Sequence, residues 1–427
     1  MKAVIMAGGR GTRIASINSA IPKPMIPVLG KPVLEYQTEN LKQQGITDII
    51  MVCGHLKEKI VEYFGDGKNF GLNIEYVFEN EPLGTAGALS MLKDKLDEDF
   101  FLINGDIIFD VDFSGMIAFH RSHNALITIL THPNSHPYDS SLIEADKSGM
   151  VVCWHTKEDN RGWLKNSVNA GIHLLSERVF SDDTLSPLFS EARFLDLDRD
   201  ILRPLVNTGK LFSYHSPEYV MDMGVPERYN TVSEDIAAGR PQKRNLKNSQ
   251  KAVFLDRDGT INKYVGFLKN IDDFELIENT AKAINLIHSK GYLTVVITNQ
   301  PVVARGEVTF KQLEMIHNKM ETLLGREGAY IDGIYYCPHH PDKGFEGEVP
   351  ELKMQCSCRK PNIGLVEKAK SDLNIDLTGS WFVGDSQVDV LTGENAGCRT
   401  ALLSSEENGE NIYTSLYDFA VDLEENK

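Results

Sequence analysis

Two aspartates one residue apart, Asp256 and Asp258, follow the apolar run Ala252–Leu255 and lead into Gly259-Thr260. One carboxylate of such a pair can attack phosphorus. The other can protonate a leaving alcohol and then act as base on water. A calcium-binding loop would use similar residues, but the downstream chain completes a phosphate-handling set instead. Thr298, in Ile297-Thr298-Asn299-Gln300, offers a hydroxyl at a second strand end. Lys360, in Cys358-Arg359-Lys360-Pro361, offers a cation for the phosphoryl group. Asp385, in Val383-Gly384-Asp385-Ser386 with Asp389 following, offers a carboxylate for Mg²⁺ at a third strand end.

Cys337-Pro338-His339-His340 is followed, after a long loop, by Cys356-Ser357-Cys358. Two short-spaced pairs of soft donors separated by a loop suit a closed, structural Zn²⁺ site made of Cys337, His339, Cys356 and Cys358, with His340 as the alternative to His339. Such a site would pin the loop that carries Arg359 and Lys360. Cys53, Cys153 and Cys398 sit in apolar surroundings and read as inert core residues.

A second phosphate signature lies near the N-terminus. The run Gly8-Gly9-Arg10-Gly11-Thr12-Arg13 follows an apolar strand. Its backbone N–H groups can approach a polyphosphate closely, and Arg13 adds a bidentate donor. Lys23, held between Pro22 and Pro24, suits a rigidly placed phosphate ligand. A carboxylate at Glu79 or Glu81 could accept both N1–H and N2–H of guanine, where uracil or thymine would offer only one donor.

These motifs carry two resemblances. Gly8–Arg13, Pro22-Lys23-Pro24, Gly84–Leu89, Asn104-Gly105-Asp106, Asn169-Ala170-Gly171-Ile172 and Met221-Asp222-Met223-Gly224 stand in the order found in sugar-1-phosphate nucleotidylyltransferases. The resemblance covers roughly the first 235 residues. It implies that Asp106 and Asp222 hold Mg²⁺ and that Arg13 and Lys23 bind the triphosphate. Gly8, Gly9, Gly11, Thr12, Glu79, Glu81, Gly84 and Thr85 would line the nucleotide, and Asn169 and Gly171 the sugar. Lys157 falls where that family has a lysine contacting the sugar phosphate, although Thr156-Lys157-Glu158 departs from the usual Glu-Lys-Pro; Lys165 is the second candidate. Around Phe78–Gly87 the chain resembles guanylyltransferases for mannose-type sugars, which points to GTP.

Residues 250–405 resemble the haloacid dehalogenase (HAD) superfamily, with Asp256, Asp258, Thr298 and Lys360 as catalytic residues and Asp256, Asp258 and Asp385 around Mg²⁺. Together with Ala304-Arg305-Gly306 and the Cys/His loop, the set is similar to D-glycero-D-manno-heptose 1,7-bisphosphate 7-phosphatases, and much of it to histidinol phosphatases. Asn299, Arg305 and Arg359 then become substrate ligands. Pro301-Val302-Val303 replaces the family's Ser-Gly-Ile, a departure in the substrate loop. Jointly the two resemblances imply a bifunctional enzyme of GDP-heptose biosynthesis acting on sugar phosphates and GTP. The alternative is a hexose-1-phosphate nucleotidylyltransferase fused to another phosphatase.

The elements that must position these residues alternate. Apolar runs at Lys2–Ala7, Asp48–Cys53, Leu72–Phe78 and Asp99–Ile103 are separated by amphipathic segments near Val33–Gln44, Lys57–Phe64 and Ala86–Leu96. The pattern restarts after 250, with strands at Ala252–Leu255, Leu293–Thr298, Ile331–Tyr336 and Ser380–Val383 between helices near Thr280–Lys290, Phe310–Leu324 and Gly364–Leu373. Such alternation predicts an α/β fold whose sites lie beyond the carboxyl ends of the strands. We expect a Rossmann-like nucleotidyltransferase domain with a mixed sheet over 1–238, a polar linker over 239–250, and a HAD-like Rossmannoid domain with a zinc-pinned loop over 251–427. The acidic tail Glu406–Lys427 is expected to be peripheral.

A length of 427 residues suits two domains. Apolar content of 41% and charged content of 25% are those of a soluble globular chain. A net charge of −17 opposes nucleic-acid or anionic-membrane partners, so anionic substrates need local cations. No apolar run approaches membrane-spanning length, and the six cysteines suggest no disulfide framework. The reading is of a cytoplasmic enzyme, with nothing opposing a homo-oligomer.

Overall fold

The computed structural model describes residues 1–9, 20–406 and 409–424. The chain forms two compact units. The first comprises Met1–His132, Ile143–His155 and Val168–Asn245. Its strands of four or more residues are β1 (Lys2–Met6), β2 (Asp48–Cys53), β3 (Asn73–Phe78), β4 (Phe100–Asn104), β5 (Ile107–Asp110), β6 (Ile127–His132), β7 (Leu142–Ala145), β8 (Val151–His155), β9 (Val168–Leu175), β10 (Leu211–His215) and β11 (Tyr219–Asp222). Nine of them make a mixed sheet in the order β8-β7-β9-β4-β1-β2-β3, with β6 on β9 and β10 on β6. β1 is parallel to β2 and β4, whereas β9 runs antiparallel to β4. Val4, Ile5, Phe101, Leu102 and Ile103 are wholly buried, as strands covered on both faces require. Helices α1 (Val33–Gln43), α2 (Lys57–Phe64), α3 (Phe113–Ser122) and α4 (Pro226–Ala237) belong to this unit.

Ala86–Leu96 departs from expectation. Instead of an amphipathic α-helix it forms a 3₁₀ turn, Gly87–Met91, followed by further turns. The backbone at Gly84 and Gly87 lies against the carbonyls of Leu195 and Arg193, closely enough that a Cβ would sit 2.4 and 2.1 Å from those oxygens. Close tertiary packing overrides the local helical period here. The stretch 239–250 also carries structure: α5 (Arg240–Arg244) buries Pro241, and Asn245 donates from Nδ2 to Asp110 Oδ1 at 2.6 Å.

The second unit comprises Leu246–Lys427 with Pro133–Leu142 and Thr156–Ser167. Its strands β12 (Ala252–Leu255), β13 (Leu293–Asn299), β14 (Gly333–Cys337), β15 (Trp381–Gly384), β16 (Arg399–Leu403) and β17 (Ile412–Tyr413) form a parallel sheet in the order β14-β13-β12-β15-β16-β17. Helices α6 (Thr280–Ser289), α7 (Phe310–Arg326), α8 (Gly364–Leu373), α9 (Gln387–Ala396) and α10 (Leu416–Asp422) complete it. A Thr309/Gln312 capping box starts α7.

Pro133–Leu142 and Thr156–Ser167 are spent on α7. Tyr138 donates to the Thr322 carbonyl at 2.7 Å, and the Leu164 N–H donates to Thr322 Oγ1 at 3.0 Å. Trp163 lies beneath Lys319 and Arg326. The C-terminal tail is less peripheral than its acidity suggests, because Leu416, Phe419 and Ala420 are buried against α6 in one core cluster. Lys290 Nζ binds the Ala420 and Val421 carbonyls that end α10.

Candidate active sites

In the second unit, parallel pairing of β12 with β13 and β15 brings three strand ends together. β12 ends at Leu255, so Asp256 opens the loop, its N–H bonded to the Val383 carbonyl. The turn that follows depends on Gly259. Its φ is +87°, and a Cβ there would stand 1.9 Å from Asp385 Oδ2. Only glycine lets the Asp385 carboxylate tuck over the turn.

Lys360 is buried between two carboxylates, with Nζ 2.8 Å from Asp256 Oδ1 and 2.6 Å from Asp389 Oδ1. Burial works against its charge, but Asp256 and Asp389 outweigh it and hold the pKa above the ordinary lysine value. Asn299 fixes its backbone by accepting from Lys360 N–H at 3.0 Å and donating to its carbonyl at 3.2 Å. Thr298 Oγ1 accepts from Gln300 Nε2 at 3.0 Å.

Asp256, Asp385 and Asp389 each offer an oxygen within 4.8 Å of the others. Burial, then Asp256 and Asp389, push Asp385 up to about 6. Converging carboxylates that repel one another fit a divalent cation. The Asp258 carboxylate is held elsewhere, by Arg257 at 2.8 Å, Asn262 at 3.0 Å and Gln300 at 2.9 Å. Burial would raise its pKa, but Arg257, followed by the Asn262 and Gln300 hydrogen bonds, holds it below the usual carboxylate range. A cavity of about 310 Å³ opens on this cluster, lined by Asp256, Asp258, Lys360 and Asp385 and walled by Tyr264, Phe267 and Val302.

The Cys/His loop closes on four donors. Cys337 Sγ is 3.6 Å from both His339 Nδ1 and Cys356 Sγ, and Cys358 Sγ lies 3.2–3.3 Å from Cys337, Cys356 and His339. A tetrahedron with Zn–S of about 2.3 Å and Zn–N of about 2.0 Å has edges of about 3.5–3.8 Å, so the Cys337 distances match it and those to Cys358 are somewhat shorter. His340 turns away to Asp342. Arg359 donates to the His339 carbonyl at 3.3 Å, so the donor cluster and the lysine loop are one piece. Arg305 is stacked between Phe267 and Phe345, its Cζ 4.2 and 4.4 Å from their ring centres, and paired with Glu307 at 3.0 Å.

In the first unit, β1 delivers Gly8 beside Glu79, where a Cβ would meet Glu79 Oε2 at 2.1 Å. Half-burial raises the Glu79 pKa against the opposing effect of the Leu83 N–H. Glu81 is exposed. Lys23 begins a 3₁₀ turn and pairs with Asp106, while Asp222 pairs with Arg228. β11 runs antiparallel to β5 with Asp222 opposite Ile107, and Met223 N–H bonds the Asp106 carbonyl at 2.9 Å. The backbone thus carries both aspartates to adjacent strand ends. Gly9 is exposed; Gly11, Thr12 and Arg13 lie outside the described residues. Thr85 Oγ1 accepts from the Leu197 N–H at 2.7 Å. Asn169 accepts from Gly171 N–H at 3.1 Å and faces Asp198 at 3.4 Å. Lys157, exposed and 3.9 Å from Glu158, and Lys165 both fall in the second unit.

Sequence reasoning passed over several contributors. Asp389 reads in sequence only as a residue following Asp385, yet its place in α9 returns it to Lys360. Arg257, wholly buried, reads in sequence as a spacer between aspartates. Gln37 holds the Asp106 turn through the Asn104 and Ile107 carbonyls at 2.9 and 2.7 Å. Asp198, which burial and Asp196 push up to about 6, had no motif to mark it.

The pattern of nucleotidyl transferases matches residues 2–239, more than half of the chain. The chain belongs to the nucleotidyl transferase family. Residues 357–417 match a HAD-hydrolase-like pattern. Over 155 residues the chain is 45% identical to a D-glycero-beta-D-manno-heptose-1,7-bisphosphate 7-phosphatase of Haemophilus ducreyi, covering 36% of this chain and 82% of that protein. It is 32% identical over 237 residues to a probable mannose-1-phosphate guanylyltransferase of Oryza sativa, covering 54% of this chain and 63% of that protein. The chain therefore spans under two thirds of that guanylyltransferase relative. A crystal structure of HddC from Yersinia pseudotuberculosis aligns at a TM-score of 0.47 and 26% identity, over 55% of this chain and 99% of that one. The molecule is thus an enzyme of two parts, a nucleotidyltransferase and a HAD-type phosphatase. Among the described residues no helix is long and apolar enough to cross a membrane.

Proposed function

We propose that the chain catalyses two consecutive steps of GDP-heptose synthesis: removal of the 7-phosphate from D-glycero-D-manno-heptose 1,7-bisphosphate, and transfer of GMP from GTP to the resulting heptose 1-phosphate. The observation that carries this reading is the joining, in one chain, of a nucleotidyltransferase with a segment 45% identical to a heptose bisphosphate 7-phosphatase. The product of the second site is a sugar 1-phosphate, and that is what the first consumes.

In the phosphatase, an Asp256 oxygen attacks phosphorus and the bond to the C7 oxygen breaks; Asp258 supplies the proton to that oxygen. Arg257, Asn262 and Gln300 favour the carboxylate form of Asp258, so it takes the proton it delivers from solvent water as the anionic substrate binds beside it. Water then attacks the aspartyl phosphate, Asp258 takes its proton, and phosphate leaves. Lys360 neutralises the phosphoryl oxygens, with Thr298 as hydroxyl donor. Mg²⁺ bound by Asp256 and Asp385 would supply further charge neutralisation. Zn²⁺ in the Cys337/His339/Cys356/Cys358 cluster would fix the loop that presents Lys360.

In the nucleotidyltransferase, a sugar-phosphate oxygen attacks the α-phosphorus in line and pyrophosphate departs. No covalent nucleophile is needed, so charge neutralisation and positioning dominate. Arg13 and Lys23 hold the triphosphate, Asp106 and Asp222 would hold Mg²⁺, and Glu79, placed against Gly8, reads the guanine edge.

The test supplies either anomer of heptose 1,7-bisphosphate with GTP and Mg²⁺ and looks for phosphate, pyrophosphate and GDP-heptose. The 32% identity to a mannose-1-phosphate guanylyltransferase favours a second reading for the first site. Product from mannose 1-phosphate, with none from the heptose bisphosphate, would establish that reading instead.

A further inference from the structure

Cys153, on β8, is only partly buried, where its sequence context suggests a core thiol. β8 ends at His155, and the neighbouring strand β7 carries Glu144. One donor atom from each of Glu144, Cys153 and His155 lies within 4.8 Å of the other two. His155 Nε2 and Glu144 Oε1 are 3.0 Å apart, with side chains 22% and 41% exposed, so the group is both assembled and reachable from solvent.

We propose that Glu144, Cys153 and His155 form a further metal site, sharing no ligand with the Cys/His loop or the aspartate clusters, that takes a zinc-class cation. The donor set selects the ion. One thiolate, one imidazole and one carboxylate suit Zn²⁺ or Co²⁺, whereas Mg²⁺ and Ca²⁺ require oxygen throughout. Three protein donors leave the fourth tetrahedral position to water. Binding replaces the imidazole–carboxylate contact with bonds to the cation and releases the thiol proton. The site joins β7 to β8, the outermost strand of the sheet path. Such a clip would tie the two strands of this hairpin to each other at the end of the sheet path.

Metal content decides it, measured on the full-length protein, chelator-stripped, reloaded with excess Zn²⁺ and gel-filtered. Wild type is expected to hold one zinc per chain more than Cys153→Ser and one more than His155→Gln. With Co²⁺, thiolate-to-metal absorbance should fall by about a quarter in Cys153→Ser, since the Cys/His loop contributes three thiolates and this site one. Excess Mg²⁺ should displace none of it. Equal zinc content and equal cobalt absorbance in wild type and Cys153→Ser overturn the proposal. If Cys153→Ser does not fold, the same comparison with His155→Gln and Glu144→Gln decides.

Discussion

Lys360 is the residue on which the proposed phosphatase chemistry turns, and three neighbours hold it: Asp256, Asp389 and the Asn299 amide. Removing one partner of a buried ion pair costs about 3–5 kcal/mol, since the other charge is left uncompensated. Lys360→Met should therefore lower the melting temperature as well as abolish phosphate release, read by calorimetry and a phosphate assay. Asp256→Asn leaves the packing nearly unchanged. It should cut phosphate release by more than about 10³-fold while pyrophosphate release from GTP stays within about twofold; loss of both would argue against separate sites. At Glu79 the question is specificity. Glu79→Gln should shrink the preference for GTP over UTP and dTTP by roughly 10- to 100-fold in kcat/KM, and an unchanged preference would remove Glu79 from base recognition.

Among the elements, α7 carries the clearest pH signal. Glu321 on α7 is buried among Pro137, Tyr138, Leu164 and Asn166. Burial pushes its pKa up to about 7 from 4.5, against the pull of Lys165 and the Asn166 N–H. A carboxyl raised in the folded state stabilises that state fully only below the unfolded value. Its contribution is lost as the pH rises from about 4.5 through 7, on the order of 3 kcal/mol in all. The unfolding free energy should fall between pH 5 and 8, and Glu321→Gln should flatten that slope; equal slopes would show that Glu321 does not ionise there. At the β12 turn, Gly259→Ala combines a positive φ with a clash against Asp385. It should destabilise by about 1–2 kcal/mol and depress phosphatase activity far more than nucleotidyl transfer.

For the whole molecule, the proposed function assigns the Cys/His loop to phosphate release and the first unit's strand ends to nucleotidyl transfer. Stripping the Cys/His cluster with a chelator and restoring Mg²⁺ should abolish phosphate release and spare nucleotidyl transfer, with zinc alone restoring the former. Sequence by itself determined the two α/β halves, the strand ends that carry Asp106, Asp256, Thr298 and Asp385, and the donor set Cys337, His339, Cys356 and Cys358. These are local signals: apolar periodicity marks a strand, and chemistry-bearing residues at fixed spacing mark its end. Only the tertiary structure decided that Ala86–Leu96 is not a helix, that Asp389 rather than the Asp258 carboxylate joins Asp256 and Asp385, and that Glu144 meets Cys153 and His155. It also decided that Pro133–Leu142 and Thr156–Ser167, bounded in sequence by strands of the first unit, are built into the second. Each of these rests on contacts between residues remote in sequence or across paired strands. Periodicity and spacing read only neighbours along the chain; burial, register and close backbone approach are set by what the folded chain brings alongside.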